Sequence, residues 1–106
     1  MLVVTSETIA NKRIVKTLGI VRGNTVRARH IGKDIMAGLR NIVGGEVHEY
    51  AKLVAESREQ SLDRMTKEAA ELGANAVIAT RFTTSVLMGG AAELLAIGTA
   101  VVVEDE

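Results

Sequence analysis

Two glycine signals bracket the longest stretch of helical periodicity in this chain, and that stretch limits what the rest can build. Gly44-Gly45 precedes it and Gly73 follows it. Between them Val47, Ala51, Val54, Leu62, Met65, Ala69 and Leu72 recur at three- and four-residue spacing, and only Arg58 breaks the stripe. The opposite face carries Glu49, Glu56, Glu59, Asp63, Lys67 and Glu71. This pattern predicts an amphipathic helix from about Glu46 to Leu72. At about 1.5 Å per residue it is roughly 40 Å long. In a chain of 106 residues such a helix outruns the body it packs on, so one end is expected to meet something besides its own sheet.

The other elements follow from shorter signals. Met1–Thr5 reads as a short strand and Ser6–Lys12 as a polar connection. Arg13–His30 is rich in β-branched residues and reads as a long strand, with a bulge or turn at Gly23-Asn24. Its alternation puts Ile14, Lys16, Leu18, Ile20 and Arg22 on one face and Val15, Thr17, Gly19 and Val21 on the other. Ile31, Ile35, Leu39 and Ile42 predict a short helix that Gly44-Gly45 ends. Leu72-Gly73-Ala74-Asn75 stops the long helix, with Gly73 at the position past the cap. Two strands follow, Ala76–Met88 and Ala91–Val103, joined by a tight turn at Gly89-Gly90. Ile78, Phe82, Val86 and Met88 are expected to share a face, with Arg81, Thr83 and Ser85 opposite. Val101-Val102-Val103 does not alternate, which predicts burial on both faces. The expected fold is α+β in the order β-β-α-α-β-β. It is a mostly antiparallel sheet with hairpins at both ends and one short and one long helix on one face, forming a single domain over 1–106.

Composition narrows the function classes. Tyr50 and Phe82 are the only aromatic residues, so the core must be built from small aliphatic units. A domain of this size buries only about two thirds of the surface its unfolded chain exposes, and association between subunits is one remedy for so thin a core. The absence of Cys excludes disulfides, thiol chemistry and Cys-ligated metal and fits a cytosolic setting. Met1-Leu2-Val3-Val4-Thr5 turns polar too soon for a signal peptide. The near-apolar run Leu94–Val103 is about half of the ~20 residues a membrane helix needs, so no membrane partner is expected. Charge is divided unevenly. Residues 1–45 carry eight Lys/Arg against two acids, and residues 46–106 carry five against eleven.

Three stretches, taken in order, carry a family resemblance. They are Ile14-Val-Lys-Thr-Leu-Gly-Ile-Val21, then Ile42-Val-Gly-Gly45 before the charged helix, then Leu72-Gly-Ala-Asn-Ala-Val77 leading to Gly98-Thr-Ala-Val-Val-Val103. The chain resembles the YbjQ-like family, whose label is heavy-metal-binding domain. The resemblance spans nearly the whole chain. It implies a small α+β subunit assembled with copies of itself, typically as a homopentamer, with no established activity. It designates no metal ligands among these residues.

The candidate chemistry is sparse. His30 and His48 stand eighteen apart and form no local chelate, though they could meet in space or across a subunit boundary. Met36, Met65 and Met88 sit at apolar positions and read as core filler. Glu56, Glu59 and Asp63 read as a solvated helix face. Nucleophilic catalysis lacks a Gly-x-Ser-x-Gly elbow, and no phosphate-loop pattern occurs, so no catalytic residue is assigned. Gly44-Gly45 could offer backbone N–H groups to an anion but serves equally as punctuation. Arg22, Arg27, Arg29, His30 and Lys33 form a basic stretch, yet stacking aromatics are missing and the chain is neutral, which argues against nucleic acid. The expected function is a non-enzymatic, cytosolic homo-oligomer that binds a small ligand, ion or partner or plays a structural role. The alternatives are a heavy-metal-binding protein using His30, His48 or acidic clusters, and an enzyme with its site between subunits. No cofactor is named by any motif. The charge division favours head-to-tail contacts that close a ring.

Overall fold

The computed structural model describes residues 1–27, 45–86 and 92–106. Among them the order is β1 (Leu2–Val3), β2 (Lys12–Arg27), α1 (Gly45–Glu71), β3 (Ala76–Val86) and β4 (Ala92–Asp105). The strands form one sheet in the order β1-β3-β4-β2. β4 pairs antiparallel with β2 and β3, whereas β1 pairs parallel with β3. The α+β class and the mostly antiparallel sheet therefore hold, but the expected N-terminal hairpin does not. β1 and β2 lie at opposite edges, because residues 4–11 cross the face of the sheet instead of turning back. Val4 and Ile9 pack there against Ala76, Ile78, Val101 and Val103, and the crossing ends at Asn11, whose φ is 62°. The expected short helix over Ile31–Ile42 and the Gly89-Gly90 turn lie outside the described residues.

α1 covers the other face, over β2 and β4, and barely reaches β3. Its core cluster is Val21, Met65, Ala69, Val77, Ala96 and Ala100. The end of β4 is thus buried on both faces, since Ala100 faces α1 and Val101 and Val103 face the N-terminal crossing. That is why the Val run does not alternate. The helix ends as expected. Gly73 has φ 88°, its N–H donates to Ala70 O, and Ala74 N–H donates to Ala69 O. This is the double-bonded left-handed cap. Asn75 then pins the sheet: its side-chain amide donates to Val103 O at 2.9 Å and accepts from Val103 N–H at 2.8 Å.

The apparent break at Arg58 dissolves once burial is known. The buried stripe of α1 runs through Ser57, Ser61, Met65 and Ala69, at helical spacing, and Arg58 lies outside it, exposed. Small polar residues are needed there because α1 lies almost on the backbone of β2. A Cβ on Gly23 would stand 2.2 Å from Ser61 O and 2.4 Å from Met65 N. The buried hydroxyls satisfy one another: Thr25 Oγ1 lies 2.8 Å from Ser61 Oγ, and Ser61 donates to Leu94 O at 3.1 Å. Gly23 therefore permits close approach and marks no bulge; β2 pairs continuously with β4 through Gly23 and Asn24.

The irregularities of β2 lie earlier, between Ile14 and Lys16 and between Thr17 and Gly19, where Gly19 has φ 120°. Each reverses which face a side chain takes. Beyond Gly19 the expected alternation holds, with Val21 and Thr25 buried towards α1 and Ile20 and Val26 facing away, but Leu18, expected to share the face of Ile20, packs with Val21 instead. The Cα radius of gyration, 17.3 Å, exceeds the ~13 Å of a compact domain of this length. The described residues form a long thin slab of 56 × 24 × 16 Å.

Candidate functional site

A further register shift decides the most distinctive surface. Between Ile78 and Arg81 the β3–β4 ladder skips, and Ala79 takes φ 53°. Ala79 N–H donates to Ser6 O at 2.8 Å and Thr80 N–H to Val4 O at 3.0 Å, so the N-terminal crossing holds the bulge. The bulge separates residues expected to share a face. Ile78 packs towards the crossing, whereas Phe82, paired with Ala96, is turned to the α1 side. There it stays 41% exposed. Thr80 Oγ1 is buried with no partner among the described residues. A non-glycine residue in the left-handed region and an unsatisfied hydroxyl both cost stability, and their local effect is to re-aim Phe82.

Phe82 floors an open groove of about 800 Å3 between α1 and the uncovered part of β3. Ala55 and Leu62 complete its apolar base, and Glu56, Glu59 and Asp63 rim it beside Lys52 and Arg58. The acids placed on a solvated face by sequence thus border a groove. The other sheet face is also open beyond the N-terminal crossing. Ile20 is 60% exposed and Val26 51%, opposite Thr99 and Glu93 on β4.

The other candidate residues are scattered. Met65 is buried in the core, as expected of filler. His48 is on α1, Arg22 is exposed on β2 and Arg27 ends that strand. His30, Arg29, Lys33, Met36, Met88 and Gly44 lie outside the described residues. Among the described residues no group of three or more His, Asp or Glu is arranged to hold a metal ion, and no helix is long and apolar enough to cross a membrane. Among the described residues one ionisable group is perturbed: the hydrogen bond from Lys12, then its charge, holds the Asp105 carboxyl below the usual range. The sequence pattern placed Phe82 on a strand face and Gly23 at a bulge or turn, and gave neither a part in a site. The signal for Phe82 was its rarity, as the only Phe in the chain.

Residues 1–104 match the profile of a family described as "Putative heavy-metal-binding". The chain belongs to this YbjQ-like family. It is 55% identical over 101 residues to a UPF0145 protein of Methanosarcina acetivorans, covering 95% of each chain. A UPF0145 protein of Thermococcus kodakarensis is 58% identical over 106 residues, covering 100% of this chain and 94% of the relative. The crystal structure of a protein of unknown function from the DUF74 family of Pediococcus pentosaceus superposes with TM-score 0.65 at 14% identity, covering 98% of both chains. At that identity the likeness shows the YbjQ-like fold alone. The metal in the family's description does not fit the described donors: Cys is absent from the chain, and no three of the described His, Asp and Glu converge.

Proposed function

We infer that this YbjQ-like chain is a non-enzymatic, cytosolic building block that joins copies of itself head-to-tail into a closed ring, the homopentamer being the size its family resemblance implies. The ring presents a surface for a small ligand or partner. The observation that carries this reading is the open apolar surface on a thin slab. Ile20 and Val26 on one sheet face are 60% and 51% exposed and Phe82 on the other is 41% exposed, while the fully buried core is Val, Ala and one Met. Burying such side chains stabilises by about 1.5–3 kcal/mol each, and a second copy provides the cover. Unlike surfaces suit a heterologous contact, which repeats until it closes. β2 carries five Lys/Arg and no acid, whereas Glu56, Glu59 and Asp63 rim the groove.

Light scattering coupled to size exclusion tests this. The expected mass is several times the 11.3 kDa subunit at low and moderate salt, because salt screens exposed charge but leaves buried aliphatic area. A clean monomer at tens of micromolar overturns it. Calorimetric titration with a transition metal separates the alternative of metal binding: sub-micromolar binding that His30→Ala with His48→Ala abolishes would establish it.

A further inference from the structure

The bulge at Ala79 is held from outside its own ladder. Three consecutive carbonyls of the N-terminal crossing accept hydrogen bonds from it. Thr80 N–H donates to Val4 O at 3.0 Å, the Arg81 guanidinium to Thr5 O at 2.7 Å, and Ala79 N–H to Ser6 O at 2.8 Å. Arg81 also donates to Thr80 O at 2.8 Å, so one side chain clasps the crossing and the bulge together. Without those bonds only the costs of the bulge are left. Ala79 sits in the left-handed region at φ 53°, and Thr80 Oγ1 is buried without a partner among the described residues. Beyond the bulge β3 does not specify its own register. Residues 81–85 are all exposed, Thr83, Thr84 and Ser85 suit either face, and polar strands of this kind are prone to slip. β1 pairs only with Ala76 and Val77, so among the described residues β4 alone would have to be paired anew.

We propose that the N-terminal crossing is a latch on the register of β3, which decides whether Phe82 or Arg81 floors the groove. With the crossing docked, the bulge is held and Phe82 lies opposite Ala96. With the crossing lifted, the bulge is lost and the register that pairs Ile78 with Thr99 runs on. Phe82 then lies opposite Leu95, on the face away from α1, and Arg81 takes the place opposite Ala96. Thr80 moves to the open face, where water satisfies its hydroxyl. The apolar floor is thereby exchanged for a cation beside Glu56, Glu59 and Asp63. The two settings are discrete, because a slip of one residue moves every side chain to the other face. Linkage makes the coupling reciprocal: whatever packs on Phe82 holds the crossing down, and whatever draws the crossing away removes the apolar floor. The device lies within one chain and goes beyond the ring reading.

Nuclear magnetic resonance of the isotope-labelled full chain tests the latch. Cross-strand Overhauser contacts read the register, and hydrogen exchange at the Ala79 and Thr80 amides reads whether the crossing is docked. Wild type should show Phe82 beside Ala96 with both amides protected. Val4→Asp with Ile9→Asp charges the side of the crossing that packs on the sheet. Both amides should then lose protection, and the contacts of Phe82 should pass to Leu95. Adding Ala79→Gly, which removes the left-handed strain, should return Phe82 to Ala96. Unprotected amides with Phe82 still beside Ala96 overturn the proposal. Should the charged crossing fail to fold or stay docked, Ala79→Val decides, because a β-branched side chain disfavours the bulge at positive φ while the crossing is untouched. It should populate the Leu95 pairing and speed exchange at both amides. Unchanged Phe82–Ala96 contacts and unchanged protection in that variant overturn the proposal.

Discussion

Replacing Gly23 by Ala adds one methyl group at the tightest point of the fold. No positive φ is involved at this position, so Ala fits the backbone conformation. Taken alone, the exchange would restrict the unfolded chain and stabilise by about 0.4–1 kcal/mol. The structure reverses that sign. The new Cβ would stand 2.2 Å from Ser61 O, 2.4 Å from Met65 N and 2.8 Å from Arg64 Cβ. The first two are backbone atoms of α1 and cannot swing aside, so the helix must lift by about 1 Å, and a gap of that size forfeits roughly a quarter to a half of each dispersion contact it opens. Val21, Met65 and Ala69 share this seam. The Thr25–Ser61 hydrogen bond at 2.8 Å would stretch past bonding distance, a loss of about 0.5–1.5 kcal/mol. With an overpacking cost of about 1–3 kcal/mol, the expected destabilisation is about 3 kcal/mol. That corresponds to a fall in melting temperature of about 12–24 °C. Urea denaturation at fixed protein concentration measures it, the concentration being held because association contributes to apparent stability. Gly19→Ala is the control: its Cβ meets nothing within 4 Å, so only the backbone strain at φ 120° is felt. A Gly23→Ala variant as stable as wild type, or more so, refutes the close approach of α1 to β2.

Three further outcomes are expected. Gly73→Val should cost more than the ~1 kcal/mol of a propensity difference, entirely through conformation, since its Cβ meets nothing within 4 Å; an unchanged thermal melt would remove the cap assignment. Ser61→Ala should cost about 1–2 kcal/mol by urea denaturation, because its buried hydrogen bonds to Leu94 O and Thr25 Oγ1 are lost, and a neutral result would mean the hydroxyl chain is not formed. Asp105 should titrate below the ordinary aspartate range by NMR and return to it in Lys12→Met. Because the folded value is the depressed one, its small contribution is present above the unfolded value and is lost as pH falls through the folded value.

The parts legible in the sequence were those with a strong local signal. The ends of α1 were marked by glycines, and burial on both faces near the end of β4 by a missing alternation, although Val102 is only half-buried. What escaped were features in which a residue type hides its role. Ser57 and Ser61 fill the buried stripe that a hydrophobic pattern interrupts at Arg58, because the closeness of β2 at Gly23 favours small side chains over large ones. The bulge at Ala79 carries no glycine to announce it, so alternation was counted straight through and Phe82 was assigned the wrong face. The parallel pairing of β1 is set by contacts with residues some seventy positions away, which local pattern does not encode. The groove was invisible for the same reasons, since it exists only where the bulge and the offset of α1 meet.

Native mass spectrometry of the untagged protein across a dilution series tests the central claim most directly. A closed head-to-tail ring predicts one discrete multiple of 11.3 kDa that keeps its subunit number until it falls apart. A monomer at every concentration contradicts that claim, and so does a ladder of masses that grows with concentration or a dimer that resists dilution.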